Sequence, residues 1–144
     1  MARDNGRTPF QWDASDNAGF TNGTPWLKVN SNYTQVNVAA QQDDANSELN
    51  YFRRMVKLRK DNLTLVYGEY KLLLSDHPDV YCYTRTLDNE TILVLLSFTD
   101  KQVKISLPQS LGDNRVLINN YSAYQQQQSD AILEPYQAVV LTNL

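Results

Sequence analysis

The chain has 144 residues with thirteen Lys and Arg against sixteen Asp and Glu, a net charge of −3. That slight acidity excludes the basic face a nucleic-acid partner requires. The longest apolar run, residues 92–96, is too short to span a bilayer, and no membrane partner is expected. One histidine and one cysteine leave no material for a His-based metal cluster, a Ser-His-Asp triad or an internal disulfide. No cofactor or metal is therefore expected, and the single thiol fits a reducing, cytoplasmic setting. The first residues are polar and carry no apolar leader segment.

From residue 1 to about 42 the chain is rich in Asn, Asp, Thr and Gly. Its apolar residues Phe10, Trp12, Phe20, Trp26 and Leu27 follow no period, which reads as a long loop. So long a stretch without regular structure is uncommon and usually functional, and its aromatics need a surface to cover them.

Asn46-Ser47 then offers a helix N-cap, with Glu48 in the first turn to complement the dipole. Leu49, Phe52, Met55, Val56 and the stem of Arg59 recur at three- and four-residue spacing, predicting a helix over 49–60 that stops near Asp61-Asn62. Burying its four apolar side chains would contribute about 1.5–3 kcal/mol each.

Beyond it the period changes to two. Strands are expected over 70–74, 80–86, 91–98, 103–107, 115–121, 131–133 and 137–142. Asp88-Asn89-Glu90 makes a hairpin loop, Pro108 ends a strand and Pro135 marks an edge or bulge. The 91–98 segment is nearly continuous in its apolar character, as in a central strand covered on both faces. Gln125 to Gln128 reads as an exposed polar loop. The fold expected is mainly β: an antiparallel sandwich of Greek-key type, preceded by a long loop and one or two helices. Residues 1–62 and 63–144 form its two parts.

The run Arg3-Asp4-Asn5-Gly6-Arg7-Thr8-Pro9-Phe10-Gln11-Trp12-Asp13 resembles a signature of the oligo-1,6-glucosidase and α-glucosidase branch of the α-amylase superfamily. The likeness continues through Asn17-Ala18-Gly19-Phe20-Thr21, Gly23-Thr24-Pro25-Trp26, Val29-Asn30, Asn32-Tyr33 and Val36-Asn37-Val38, then Leu58-Arg59-Lys60 and Val66-Tyr67-Gly68-Glu69-Tyr70. The family usually has Ala at Gly6 and Met at Phe10. The resemblance implies that residues 1–62 are the last loop and last helix of a (β/α)₈ barrel, and that 63–144 are the sandwich packed on it. It implies retaining hydrolysis of short α-linked glucosides by a carboxylate nucleophile and a protonated carboxyl group. In that family both lie N-terminal to this stretch, so the chain by itself is expected to hold no catalytic residue and to be inactive.

One substrate contact is implied by the motif. Arg3 matches the family arginine that helps hold the non-reducing sugar, a task suited to a fixed guanidinium fork. Arg7 and Asp13 are structural in such loops, and Trp12 and Trp26 either pack or stack on sugar. His77, in Ser75-Asp76-His77-Pro78-Asp79, reads as an exposed turn residue, and Cys82 as a buried small hydrophobe. Asp43-Asp44 and Asp88/Glu90 read as solvated turn carboxylates. The alternative reading is a free-standing sandwich that binds carbohydrate or protein through Tyr70, Tyr81, Tyr83, Tyr121, Tyr124 and Tyr136.

Overall fold

A computed structural model of the chain describes residues 2–107 and 114–143, without the side chains of 2 and 3. It divides into two compact units, Met1–Arg54 and Met55–Leu144.

The first unit is built of short pieces. Helix α1 runs Ala2–Asn5, a single 3₁₀ turn covers Asp16–Gly19, and helix α2 covers Val38–Gln42. Polar side chains hold these pieces. Asn37, buried, caps α2 by accepting from the Ala40 amide at 2.8 Å and donates to the Tyr33 carbonyl at 2.8 Å. The Asn50 amide group donates to three carbonyls, those of Gln41, Gln42 and Asp44. The expected long loop is thus irregular but bonded.

Helix α3 runs Glu48–Asp61. Ser47 is its cap, its hydroxyl accepting from the Asn50 amide at 3.2 Å. The expected apolar stripe exists, yet none of its residues is buried: Phe52 is 58% and Met55 41% exposed. Leu49 and Val56 are half-buried, so only part of the burial energy assigned to that face is gained among the described residues. A second helix, α4 (Leu63–Tyr67), follows at once, because the Asn62 side chain accepts from the Leu65 amide and restarts the turn. Gly68 ends it. A Cβ there would meet the Thr64 carbonyl oxygen at 2.5 Å and the Thr86 backbone at 3.1 Å, so only glycine permits this approach.

The second unit carries the strands. They are β1 (Glu69–Leu73), β2 (Val80–Leu87), β3 (Glu90–Ser97), β4 (Val103–Ser106), β5 (Asn114–Asn119), β6 (Gln125–Gln127), β7 (Asp130–Leu133) and β8 (Ala138–Asn143). One sheet has the order β1-β2-β3-β8-β5 and the other β4-β7-β6, with every pairing antiparallel. The last strand inserts between β3 and β5, so the chain crosses between sheets instead of running as a plain meander. Val80, Cys82, Leu93, Leu95, Val139 and Leu141 of the larger sheet meet Ile105, Ala131 and Leu133 of the smaller in one buried cluster. That is the sandwich core.

Two readings need correction here. Gln125 to Gln127 is no loop but a strand on the edge of the smaller sheet, pairing Gln125 with Ile132 and Gln127 with Asp130. Its backbone ladder, blind to side-chain polarity, decides the matter. Glu90 is no solvated turn residue either. It opens β3, and its carboxylate accepts from Asn62, Thr64 and Thr142, tying α4 to the sheet. The stop expected at Pro108 lies outside the described residues.

Candidate functional site

The motif-bearing segment is shaped by backbone it shares with α2. The amides of Val38 and Ala39 donate to the carbonyls of Gln11 and Trp12, each at 3.0 Å, so the Gln11-Trp12 pair is fixed against the start of that helix. The Gln11 side chain adds donations to Asn32 and to the Val36 carbonyl. Trp12 and Asp13 both donate their amides to the Ala18 carbonyl, closing a tight loop.

That loop is strained. Asn17, Ala18 and Gly19 have φ of 54°, 59° and 66°, three consecutive left-handed residues. Non-glycine residues adopt this region at a cost, and surroundings must enforce it. Here Asn17 donates to the carbonyls of Thr21 and Gly23, both at 3.1 Å, while Ala18 is wholly buried. A Cβ on Gly19 would strike the Asp13 carboxylate at 2.7 Å. Asp13 accepts from the Ser15 hydroxyl and amide, and these bonds hold its carboxyl below the usual range. It is an ionised brace.

The charged motif residues are also engaged. Arg7 stacks over the Trp26 ring, 4.8 Å from its centroid, and lies 3.7 Å from Asp4. Phe10 and Trp12 pack ring to ring at 4.7 Å. The Phe and Trp side chains of the motif nevertheless face outward: Phe10 55%, Trp12 52%, Phe20 50% and Trp26 75% exposed. Beside them an open cleft of about 560 Å³ is lined by Pro9, Phe10, Val36, Val38, Leu49 and Phe52, with Glu48 the carboxylate at its edge. Arg3 falls in α1, but its side chain lies outside the described residues.

A retaining glycosidase needs a carboxyl group pushed upward in pKa to act as acid. Asp13 and Asp130 are instead held below the usual carboxylate range, Asp130 through its bonds to Lys104 and Ser106. Among the described residues no cluster of His, Cys, Asp or Glu could hold a metal ion, and no helix is long and apolar enough to cross a membrane.

In the second unit His77 differs from expectation. It is half-buried, and its Nδ1 accepts from the amides of Asp79 (3.2 Å) and Val80 (3.1 Å), so it braces the turn into β2. Cys82 is buried as expected, and burial pushes its thiol up to about 11. Such a thiol stays protonated and inert. The six tyrosines do not form one strip. Tyr70, Tyr81 and Tyr83 cluster, Tyr121 donates to the Pro135 carbonyl, Tyr124 packs beside the core, and Tyr136 stands apart on a left-handed turn. Sequence reasoning missed the clamp of Glu90 and the brace of His77; neither has a motif, and only the three-dimensional neighbours reveal them.

Comparison with known proteins divides the chain later than the two compact units do. The family described as "Alpha amylase, catalytic domain" matches residues 1–68, and "Maltogenic Amylase, C-terminal domain" matches residues 70–140. An oligo-1,6-glucosidase of Parageobacillus thermoglucosidasius is 45% identical over 141 residues, covering 96% of this chain and 25% of that protein. A trehalose-6-phosphate hydrolase of Bacillus subtilis is 36% identical over 143 residues, again 25% of its length. Among solved structures, an isomaltulose synthase of Erwinia rhapontici in complex with sucrose superposes with a TM-score of 0.90 at 45% identity. That match covers 99% of this chain and 26% of the synthase. The chain spans about a quarter of the length of the relatives it matches.

Proposed function

Since the chain belongs to the α-amylase family and corresponds to the C-terminal quarter of its oligo-1,6-glucosidase branch, we propose that it completes a retaining α-glucosidase whose two catalytic carboxyl groups lie in the barrel preceding it. The observation carrying this reading is that residues 1–68 match an α-amylase catalytic domain while their aromatics, Trp26 foremost, stand exposed. Large apolar side chains grouped in one segment mark a surface made to be covered.

In the intact protein the segment from Arg3 to Trp26 lines the end of the barrel, residues 1–62 supply its last loop and helix, and residues 63–144 form the sandwich that stabilises it. Arg3 serves the substrate, a short α-linked glucoside, by holding the non-reducing sugar. Arg7, paired to Trp26 and Asp4, keeps the loop in shape. The buried thiol of Cys82 suits a cytoplasmic enzyme.

The test uses a 5-fluoro-α-glucosyl fluoride, which traps the covalent intermediate of a retaining enzyme. Peptide mapping of the labelled intact protein should find the sugar on a carboxylate outside residues 1–144. A label inside them overturns the reading. Arg3→Lys in the same protein should raise KM more than it lowers kcat, by roughly tenfold, because the ammonium keeps charge but loses the fork.

A further inference from the structure

One end of the larger sheet gathers exposed aromatic rings on tightly braced turns. The segment entering β2, the turns after β3 and β5, and the turn before β8 all lie there. The Phe98 amide donates to the Asp79 carbonyl at 2.8 Å, and the Asn120 amide to that of Ala138 at 3.2 Å. Glu90, which ties α4 to the sheet, opens β3 at the other end, with the eight residues of that strand, about 25 Å of extended chain, between them. Three of these turns carry a large ring: Phe98 is 66%, Tyr121 41% and Tyr136 61% exposed. Among the described residues none of the three stacks on another ring or lies under a cation, and none belongs to the buried cluster.

The rings are held in place. At φ of 54° Tyr136 is left-handed, a conformation unfavourable for so bulky a residue unless its neighbours impose it. Here they do. Its amide donates to the Thr99 carbonyl at 3.1 Å, and its carbonyl accepts from the Asn120 side chain at 2.9 Å. The Tyr121 hydroxyl donates to the Pro135 carbonyl at 2.8 Å. Behind them Gln137, 1% exposed, joins the same turns: its Nε2 donates to Asn119 Oδ1 and to the Ala123 carbonyl, both at 3.0 Å, and its Oε1 accepts from the Glu134 amide at 2.9 Å. Turns fixed in this way, with the ring faces left open, lower the ordering cost of a ligand that stacks on them.

The surroundings select the ligand. A sugar offers apolar C–H faces to a ring and hydroxyls at its edge, so it needs aromatic faces with hydrogen-bonding groups beside them. The same turns carry the hydroxyls of Thr99 and Ser122 and the carboxylates of Asp76, Asp79, Asp100 and Glu134, against Lys101. Burying those carboxylates under an apolar partner is costly, and their negative balance repels a phosphorylated sugar. A neutral sugar leaves them in water and can donate hydroxyls to them. We propose that Phe98, Tyr121 and Tyr136 form a stacking platform for a neutral α-linked gluco-oligosaccharide. That the sugar is an α-glucoside rests on the proposed function; that it is a neutral sugar rests on the corner itself.

Calorimetric titration of the 144-residue chain with maltoheptaose tests it. The unaltered chain should bind, and Tyr136→Gly should weaken binding about tenfold or more, since it removes the ring while suiting the left-handed backbone. The thermal midpoint of that variant should hold, which separates a lost ligand contact from a lost fold. Tyr136→Phe keeps the ring and should bind as the parent does. No binding by the unaltered chain overturns the proposal. Binding that Trp26→Ala abolishes and Tyr136→Gly leaves intact overturns it too, since the sugar then sits on the exposed motif rings. So does tighter binding of cellohexaose than of maltoheptaose, or of maltose 6′-phosphate than of maltose, and so does a dimer in sedimentation that Tyr136→Gly dissolves. The intact protein is assayed separately on an α-glucoside: activity there without binding by the chain sinks only the platform, and binding by the chain without that activity sinks only the proposed function.

Discussion

Residues 1–54 and residues 55–144 are held together by different forces. In the first unit the apolar side chains buried among the described residues come down to Pro9 and Ala18, while Asn17, Asn37, Asn50 and Asp13 bond the backbone into shape. In the second, Leu93, Leu95, Leu133, Val139 and Leu141 are sealed between two sheets. The difference teaches that the motif and the core are separate kinds of information. The motif segment is shaped by polar bonds and leaves its large aromatics exposed, and the sandwich holds the apolar core.

Core truncation should expose that contrast most strongly. Leu95→Ala removes a fully buried side chain and should cost about 2–5 kcal/mol in urea unfolding of the chain. Trp26→Ala removes a larger but exposed ring and should change stability by less than about 1 kcal/mol, the loss of its contact with Arg7. Equal losses at the two positions would erase the distinction.

Gly68→Ala comes next. The added methyl cannot fit 2.5 Å from the Thr64 carbonyl, so α4 must move off β2, at about 1–3 kcal/mol. An unchanged midpoint would mean that the junction yields freely. His77→Ala, which strips the acceptor from two amides, should cost about 0.5–1.5 kcal/mol, measured as the same midpoint shift.

A further effect is a pH dependence carried by two groups of the sandwich. The folded Cys82 thiol ionises near 11 against an ordinary 9.0, so its contribution to stability is complete below pH 9 and is lost as pH rises through 11. Burial and the nearby Cys82 similarly push Tyr124 up to about 12 from 10.0, extending the decline. Cys82→Ala should flatten the fall of the unfolding midpoint between pH 9 and 11 and, by removing one cause of the Tyr124 shift, lessen the later part. A slope unchanged by that substitution would assign the decline to other groups.

Much of the sandwich was legible from residue pattern alone. Alternation in Val80-Tyr81-Cys82-Tyr83-Thr84 and the apolar run of β3 located strands to within a residue or two, because side-chain direction in a strand has a period the sequence must obey. Gln125 to Gln127 was illegible for the complementary reason: an edge strand is made by its ladder, and three glutamines carry no period to read. Helix α4 hid behind the stop at Asp61, since an Asn that ends one helix can cap the next. Ahead of α3 nothing periodic could be read, and what was legible there came from resemblance to a family. That resemblance named Arg3 and the loop around Trp12. It could not announce three left-handed residues in a row, a conformation written in neighbours such as Asp13 and Thr21.

The most direct test of the whole account is simple hydrolysis. The purified 144-residue chain, incubated with p-nitrophenyl α-glucoside, should release no p-nitrophenol above a blank, because the proposal places both the nucleophile and the proton donor outside it. Turnover that rises with the amount of chain and disappears with its removal would contradict that claim.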